Sequence, residues 1–423
     1  MTTTDSLRRA TPASPAYTAP AAVDRLQRNG GIAAVLGLLL CALGWFVAPD
    51  YLFRGYLVGW VFWLGVSLGC MAICMVGHLS GGDWAVVSRR ILEAASRVLP
   101  AMLVLFVPIA LGLPRLYEWA HPELIKTDRV VALKAPYFYF LSVSDRYPLF
   151  FYLRLLLYFA IWIGVAYRLS SLSLRQDATG DTSLLGRMRV ASAPGLIIYC
   201  LSLTFASVDW LMSLQIHWFS TIYGFYLIAS QGIAGFAFLI AIAVMLSRSE
   251  PMSGVFQPRH FHDWGKFLFA FVMIWTYFSW SQFLITWAGN LPEEIAFFLP
   301  RINGGFGWVA LVIVLFHFVV PFSLLLSRDL KRNGRTLRLV ALGLLFMRLV
   351  ELFWQVEPAF HGQNGAPLHP VNSVGFYWLY LAAPLFIGGV WLFLFARTLK
   401  SRPLLPIHDP YLPEAIAHGH SHH

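Results

Sequence analysis

The chain has 423 residues, of which 58% are hydrophobic and only 12% charged, against roughly 25% charged in a soluble domain. That balance excludes a soluble globular fold and points to a protein dissolved in a lipid bilayer. The net charge of +10 raises nucleic acid as a partner, but its placement along the chain fits a membrane face better; no nucleic acid is expected.

The N-terminal segment from Thr2 to Ala22 is rich in Thr, Ala, Pro and Ser, lacks signal-peptide character and reads as a tail. Residues 1–29 are assigned to it. Ten apolar runs follow, each near the roughly 20 residues that a helix needs to cross the hydrocarbon. They lie near Gly31 to Ala48, Gly55 to Gly77, Val98 to Leu113, Leu149 to Tyr167, Pro194 to Leu214, Phe219 to Ser247, Phe267 to Ala288, Phe306 to Leu326, Leu337 to Val356 and Val374 to Ala396. The third is short, contains Pro108 and stops at Pro114, so it is expected to be kinked or shallow. The expected fold is all-α: a polytopic membrane protein with ten transmembrane helices over 30–397, a loop over 114–148 and a C-terminal tail over 398–423. In that loop the aromatic run Ala135-Pro-Tyr-Phe-Tyr-Phe140 suits an interfacial helix or a docking surface. The histidines His418, His420, His422 and His423 carry no assigned role.

An even number of spans puts both termini on one side. Of the 31 Lys and Arg, 22 fall at the termini and on the loops of that side and seven on the other, five of those in the one long loop. The positive-inside rule then makes both termini cytoplasmic and the long loop periplasmic. Two bases, Arg154 and Arg348, are left inside spans, and only Asp209 and Glu351 of the acids lie well inside, with Glu357 at an outer end.

A charged residue at mid-membrane costs about 2.5–3.5 kcal/mol on insertion scales, so each needs a partner or a task. Asp209 and Arg154 each lie about 8 Å from the outer ends of the fifth and fourth helices at 1.5 Å per residue, and antiparallel neighbours bring them level. Arg348 and Glu351 are three apart and share a face that continues through Gln355. The four charges suggest a polar pocket opening outward, with Glu293, Glu294 and Arg301 at its mouth. Buried ion pairs also serve simply to fix helix packing, so a structural and a functional reading both stand; beside Gln355, the Arg348 and Glu351 pair suits proton transfer through water.

Ser279, Gln282 and Thr286 form one stripe of the kind that hydrogen-bonds between helices. His317 is the one histidine deep in a span, four residues before Pro321, and reads as a satisfied core residue next to a kink. Cys70, Cys74 and His78 share a face but are too few for a closed metal site. Gly304, Gly305 and Gly307 read as close-packing residues at the start of the eighth helix. No haem-attachment motif, cysteine cluster or phosphate loop occurs, so no haem, iron–sulfur cluster or metal is expected in this chain, and electrons passing nearby need another subunit.

The strings Asp209-Trp-Leu-Met-Ser-Leu-Gln-Ile-His-Trp-Phe-Ser-Thr-Ile-Tyr-Gly224, Thr286-Trp-Ala-Gly-Asn-Leu-Pro-Glu-Glu294 and Ser327-Arg-Asp-Leu-Lys-Arg332 resemble the ActF family, the smaller of two NrfD-like membrane subunits of bacterial alternative complex III. The resemblance runs over nearly the whole chain. It implies a pair of four-helix bundles with two flanking helices in the bacterial cytoplasmic membrane. It also implies a complex that oxidises menaquinol or ubiquinol and passes the electrons to a periplasmic cytochrome, copper protein or oxidase. The implied partners are the sister subunit ActC, the iron–sulfur subunit ActB, multihaem and monohaem cytochromes and ActD. ActC, beside the iron–sulfur subunit, is the better candidate for the electron-transferring quinol site. The chain is then not catalytic alone. Three roles follow as expectations: a quinol-binding subunit with the headgroup near Asp209 and His217; a proton-conducting subunit using Asp209, Glu351 and Arg348; or a scaffold whose charges only set helix packing. A secondary transporter fits less well, because paired broken helices are missing.

Overall fold

The computed structural model describes residues 18–139, 148–364 and 373–420; Phe140, Arg146 and most of the Thr2 to Ala22 tail lie outside them. Ten helices are long and apolar enough to cross a membrane. They are α1 (Ala21–Val47), α2 (Pro49–Ser80), α3 (Asp83–Leu111), α4 (Leu149–Thr179), α5 (Ser183–Leu214), α6 (Tyr223–Leu246), α7 (Pro258–Gly289), α8 (Phe306–Leu326), α9 (Gly334–Phe360) and α10 (Leu379–Lys400). A short α11 (Leu412–His420) follows, and no β-strand occurs among the described residues. The chain is an all-helical, multi-pass membrane protein.

Helices α2 to α5 pack into one bundle and α6 to α9 into another; α2 and α6 join the two, while α10 lies on α2 and carries α1. The burial of each helix follows from its sequence. Both α2 and α6 are apolar all round, as a helix in the middle of a bundle must be, and 89% and 94% of their most apolar windows are buried, against 17% for α7. Small residues let α2 and α6 meet at backbone distance, the usual device where lipid removes any hydrophobic drive for association. A Cβ on Gly69 would lie 2.1 Å from the Gln231 carbonyl oxygen. Gly69→Val is therefore expected to destabilise the detergent-solubilised protein by at least about 1–3 kcal/mol, whereas Gly164→Val, with nothing within 4 Å, should leave its thermal unfolding unchanged.

The third span begins at Asp83 rather than Val98. Its half nearer the termini carries Arg89, Arg90 and Glu93, all buried, and this is possible because partners on neighbouring segments neutralise them. It is broken at two points, with Pro100 and Pro108 each near the start of the next segment, so the expected kink is present. In α8 the backbone widens into a π-helix over Val314–Val319, just before Pro321; proline has no N–H for the carbonyl four residues back, and the turn adapts around the missing bond. Gly304 and Gly305 have φ of 58° and 91°, so they serve a left-handed turn instead of close packing. Only Gly307 is at a close approach, its Cβ position 2.7 Å from the Ile302 carbonyl oxygen.

The helix ends form two faces. The terminal face gathers the start of α1, the ends of α2 and α4, and the segment after α10, tied by ion pairs of Lys400 with Asp24 and Arg89 with Asp409. At the opposite face, Arg54 on α2 reaches Glu357 on α9.

Candidate functional site

Asp209 sits in the last α-helical turn of α5, which ends at Trp210 and continues as a 3-10 turn over Met212–Leu214. The carbonyls freed by that change are taken up: Ser213 Oγ donates to the Asp209 carbonyl at 2.6 Å and Tyr117 Oη to that of Trp210 at 2.9 Å. The Asp209 side chain is fully buried. Arg154 on α4 meets it as a fork, Nε to Oδ2 at 2.9 Å and Nη2 to Oδ1 at 2.7 Å, and Tyr158 one turn along donates to Oδ2 at 2.9 Å. Arg154 Nη1 donates to the Tyr137 carbonyl, and the guanidinium lies 3.9 Å from the centre of the Tyr137 ring. Both carboxylate oxygens are thus engaged. Next to this pair, a groove of about 310 Å³ is lined by Leu133, Lys134, Tyr137, Phe138, Val208, Met212, Ser213, Ile216, Trp218 and Phe219.

His217 lies near the same end of α5 but reaches away from Asp209: Nε2 is 3.2 Å from Asp128 Oδ2, and its side chain is half exposed. Asp128 caps the short helix Arg129–Lys134, accepting from the backbone N–H of Val130 and Val131 at 2.7 and 3.2 Å. Those bonds, that of Val131 first, hold its carboxyl below the ordinary range. The cap contributes fully above the ordinary carboxyl pKa of about 4 and is lost as pH falls through the lower folded value.

The second cluster centres on Glu351, also fully buried. Four donors from three helices converge on Oε1: Tyr226 Oη, Trp275 Nε1 at 2.9 Å, Gln355 Nε2 at 3.1 Å and Ser230 Oγ at 3.4 Å. Its other oxygen faces two bases. Arg348 Nη1 is 2.7 Å from Oε2 and His317 Nδ1 is 4.0 Å away. The imidazole stacks on Trp275 with ring centres 4.3 Å apart, and neither ring nitrogen makes a well-aligned hydrogen bond. The expected face of Arg348, Glu351 and Gln355 is therefore present, and His317 has the Met347 backbone and the Trp275 ring as its other neighbours. Gln355 extends the contacts toward the face opposite the termini: its Nε2 also donates to Tyr226 Oη at 3.0 Å, and its Oε1 accepts from Tyr223 at 2.7 Å.

Of the three residues expected at a mouth, Arg301 is buried and bonded to this cluster's edge. Its guanidinium donates to Gln215 Oε1 at 2.7 Å and to the carbonyls of Phe297 and Gln355 at 2.5 and 2.6 Å. Burial without a carboxylate partner pushes its pKa down to about 9, so it remains charged at neutral pH. Glu293 is exposed and Glu294 half-buried on the turn Pro292–Ile295; neither side chain has a hydrogen bond or ion pair among the described residues. Within the polar stripe of α7, Gln282 Nε2 donates to Thr286 at 3.2 Å, and Ser220 donates to Gln282 across to the loop after α5.

Two further ion-pair clusters lie toward the helix ends. At the opposite face, Arg54 Nη1 lies 3.3 Å from Glu357 Oε1, and Tyr380 donates to Oε2 of the same carboxylate. Toward the terminal face, Arg90 bridges Glu93 at 2.7 Å and Asp177. Buried atoms without partners surround that bridge: Glu93 Oε1, Asp177 Oδ1, Ser173 Oγ and both amide atoms of Gln176. The i, i+3 spacing of Arg90 and Glu93 was the available signal. Cys74 Sγ is 3.6 Å from His78 Nε2, and Cys70 points to the Gly235 carbonyl at 4.0 Å. No three His, Cys, Asp or Glu side chains among the described residues are placed to share a metal ion.

The fold and these clusters define a multi-pass membrane protein with acid–base groups stacked through its interior. In comparison with known proteins, no family model matches the chain and no curated relative was found.

Proposed function

We propose that the chain is a proton-conducting membrane subunit of a quinol-oxidising complex of the alternative complex III type, with both termini in the cytoplasm of a bacterial cell. The observation that carries this reading is the Glu351 site. A fully buried carboxylate has one oxygen saturated by four donors, while its other oxygen faces Arg348 and the His317 imidazole. Intramembrane acids and bases so arranged suit a relay. The Arg90, Glu93 and Asp177 cluster supplies the cytoplasmic end of the route, and Arg54 with Glu357 the outer one. The aromatic groove beside Tyr137 and Trp218 is the place for a quinol headgroup, which needs a concave, mostly apolar site with a few polar groups. ActB, ActC, ActD and the cytochromes are the proposed partners and carry the electrons.

The scaffold reading is favoured at one position. Asp209 is held by a two-pronged guanidinium and a tyrosine with no acceptor capacity left facing a titratable base, so Arg154 and Asp209 fasten α4 to α5. The test of complex membership is affinity purification of the tagged chain from native membranes. Co-purifying c-type haem, iron–sulfur protein and quinol:acceptor activity are expected; a chain that emerges alone from mild detergent sinks the reading.

A further inference from the structure

A pocket of about 550 Å³ opens on the terminal face between the turn joining α2 to α3, the start of α5 and the segment leading into α11. Its basic side chains come from three helices, His78 on α2, Arg89 on α3 and Arg189 on α5, and Asp83 is the one acidic residue in its lining. Arg89 is 6% exposed. One of its terminal nitrogens is 2.7 Å from Asp409, but the other, Nη1, is buried with no hydrogen-bond partner. An unmade hydrogen bond at a buried charged group is costly, so this N–H is a donor left without an acceptor. Arg189 is anchored by Nε to the His78 carbonyl at 3.3 Å.

The backbone supports the same charge. Helices of 14 and 28 residues start at this wall, at Asp83 and Ser183; the first has no side chain capping it from its N-cap residue, while the Ser183 N–H of the second donates to Asp181 Oδ1 at 2.9 Å. Helix starts present N–H groups and a positive partial charge. Gly81 and Gly82, with φ of 68° and 103°, turn the chain tightly here, and a Cβ on Gly81 or Gly186 would meet nothing within 4 Å. The wall is thereby left open to a ligand.

We propose that this pocket binds a phosphate group, supplied by an anionic phospholipid headgroup or as free phosphate. Guanidinium N–H groups on two sides match a tetrahedral oxyanion, the pairing in which arginine hydrogen bonds are strongest. The pocket also sits where apolar spans end, the level of lipid headgroups. None of its lining residues belongs to the Glu351 or Asp209 clusters, so the inference stands apart from the proton-conducting role.

The test uses the full chain in nanodiscs of phosphatidylcholine with or without phosphatidylglycerol, with native mass spectrometry counting retained lipid, and thermal unfolding in detergent with added inorganic phosphate. Arg189→Gln leaves the Arg89 contact with Asp409 in place and is the main variant; Arg89→Lys checks that charge alone is insufficient. Selective retention of phosphatidylglycerol, weakened about tenfold by Arg189→Gln, the worth of one charge-assisted hydrogen bond, supports the site with lipid as the source. Stabilisation by inorganic phosphate, lost in Arg189→Gln without any lipid selectivity, supports it with free phosphate as the source. Equal binding by the wild type and Arg189→Gln, or no binding of either probe, overturns it.

Discussion

Arg154→Leu is expected to cost about 3–5 kcal/mol, the penalty for leaving a buried charge without its partner, while Arg154→Leu combined with Asp209→Leu should recover most of that loss. The single variant strands a fully buried carboxylate with only the Tyr158 and Tyr137 hydroxyls beside it. The double variant replaces the whole pair by apolar groups in a setting that is apolar already. Chemical unfolding in mixed micelles measures both, and Asp209→Leu alone completes the cycle. Equal loss in the single Arg154 variant and the double variant would show that the pair contributes through something other than mutual compensation. Either way, the experiment separates the clasp between α4 and α5 from any part it has in turnover.

Glu351→Gln should have the larger functional effect. Glutamine keeps an oxygen to accept from Tyr226, Trp275 and Ser230, so the three-helix junction is preserved and the complex should assemble. If the proposed relay holds, loss of the titratable carboxyl is expected to lower quinol-driven proton translocation in proteoliposomes about a hundredfold, within the usual worth of one positioned acid or base. His317→Phe tests the neighbouring base, because phenylalanine retains the stacking on Trp275 seen at 4.3 Å between ring centres. If both variants translocate protons at the wild-type rate, the cluster is structural and the relay is abandoned.

The pairing of Arg154 with Asp209 was legible because both residues interrupt otherwise uncharged runs, and helix rise alone put them at one depth. The face of Arg348, Glu351 and Gln355 was legible from spacing within one helix. What the residues could not show was the convergence on Glu351 of Tyr226, Ser230 and Trp275 from α6 and α7, since hydroxyls and indoles occur throughout these spans and only packing selects among them. Arg54 and Glu357 are 303 positions apart, and nothing local links them. The start of α3 was misplaced for a physical reason. Ending a span at its first charge assumes that charge stays in water, yet Arg90 lies between Glu93 and Asp177 and Arg89 against Asp409, and such networks let a helix continue inward. The long apolar stems of arginine help cover the path.

The close meeting of α2 and α6 also limits what kind of machine this can be. A carrier that exposes its site to each side in turn needs two bodies that rock or slide past one another. Here the seam between the bundles brings Gly69 against the Gln231 backbone and Gly235 against the Gly69 and Cys70 backbone and the Ile73 side chain, and Arg54 fastens the same helix to α9 at the far end. In the proposed relay, protons are then expected to hop between fixed groups, at the pace of side-chain and water reorientation, without the two bundles moving past one another.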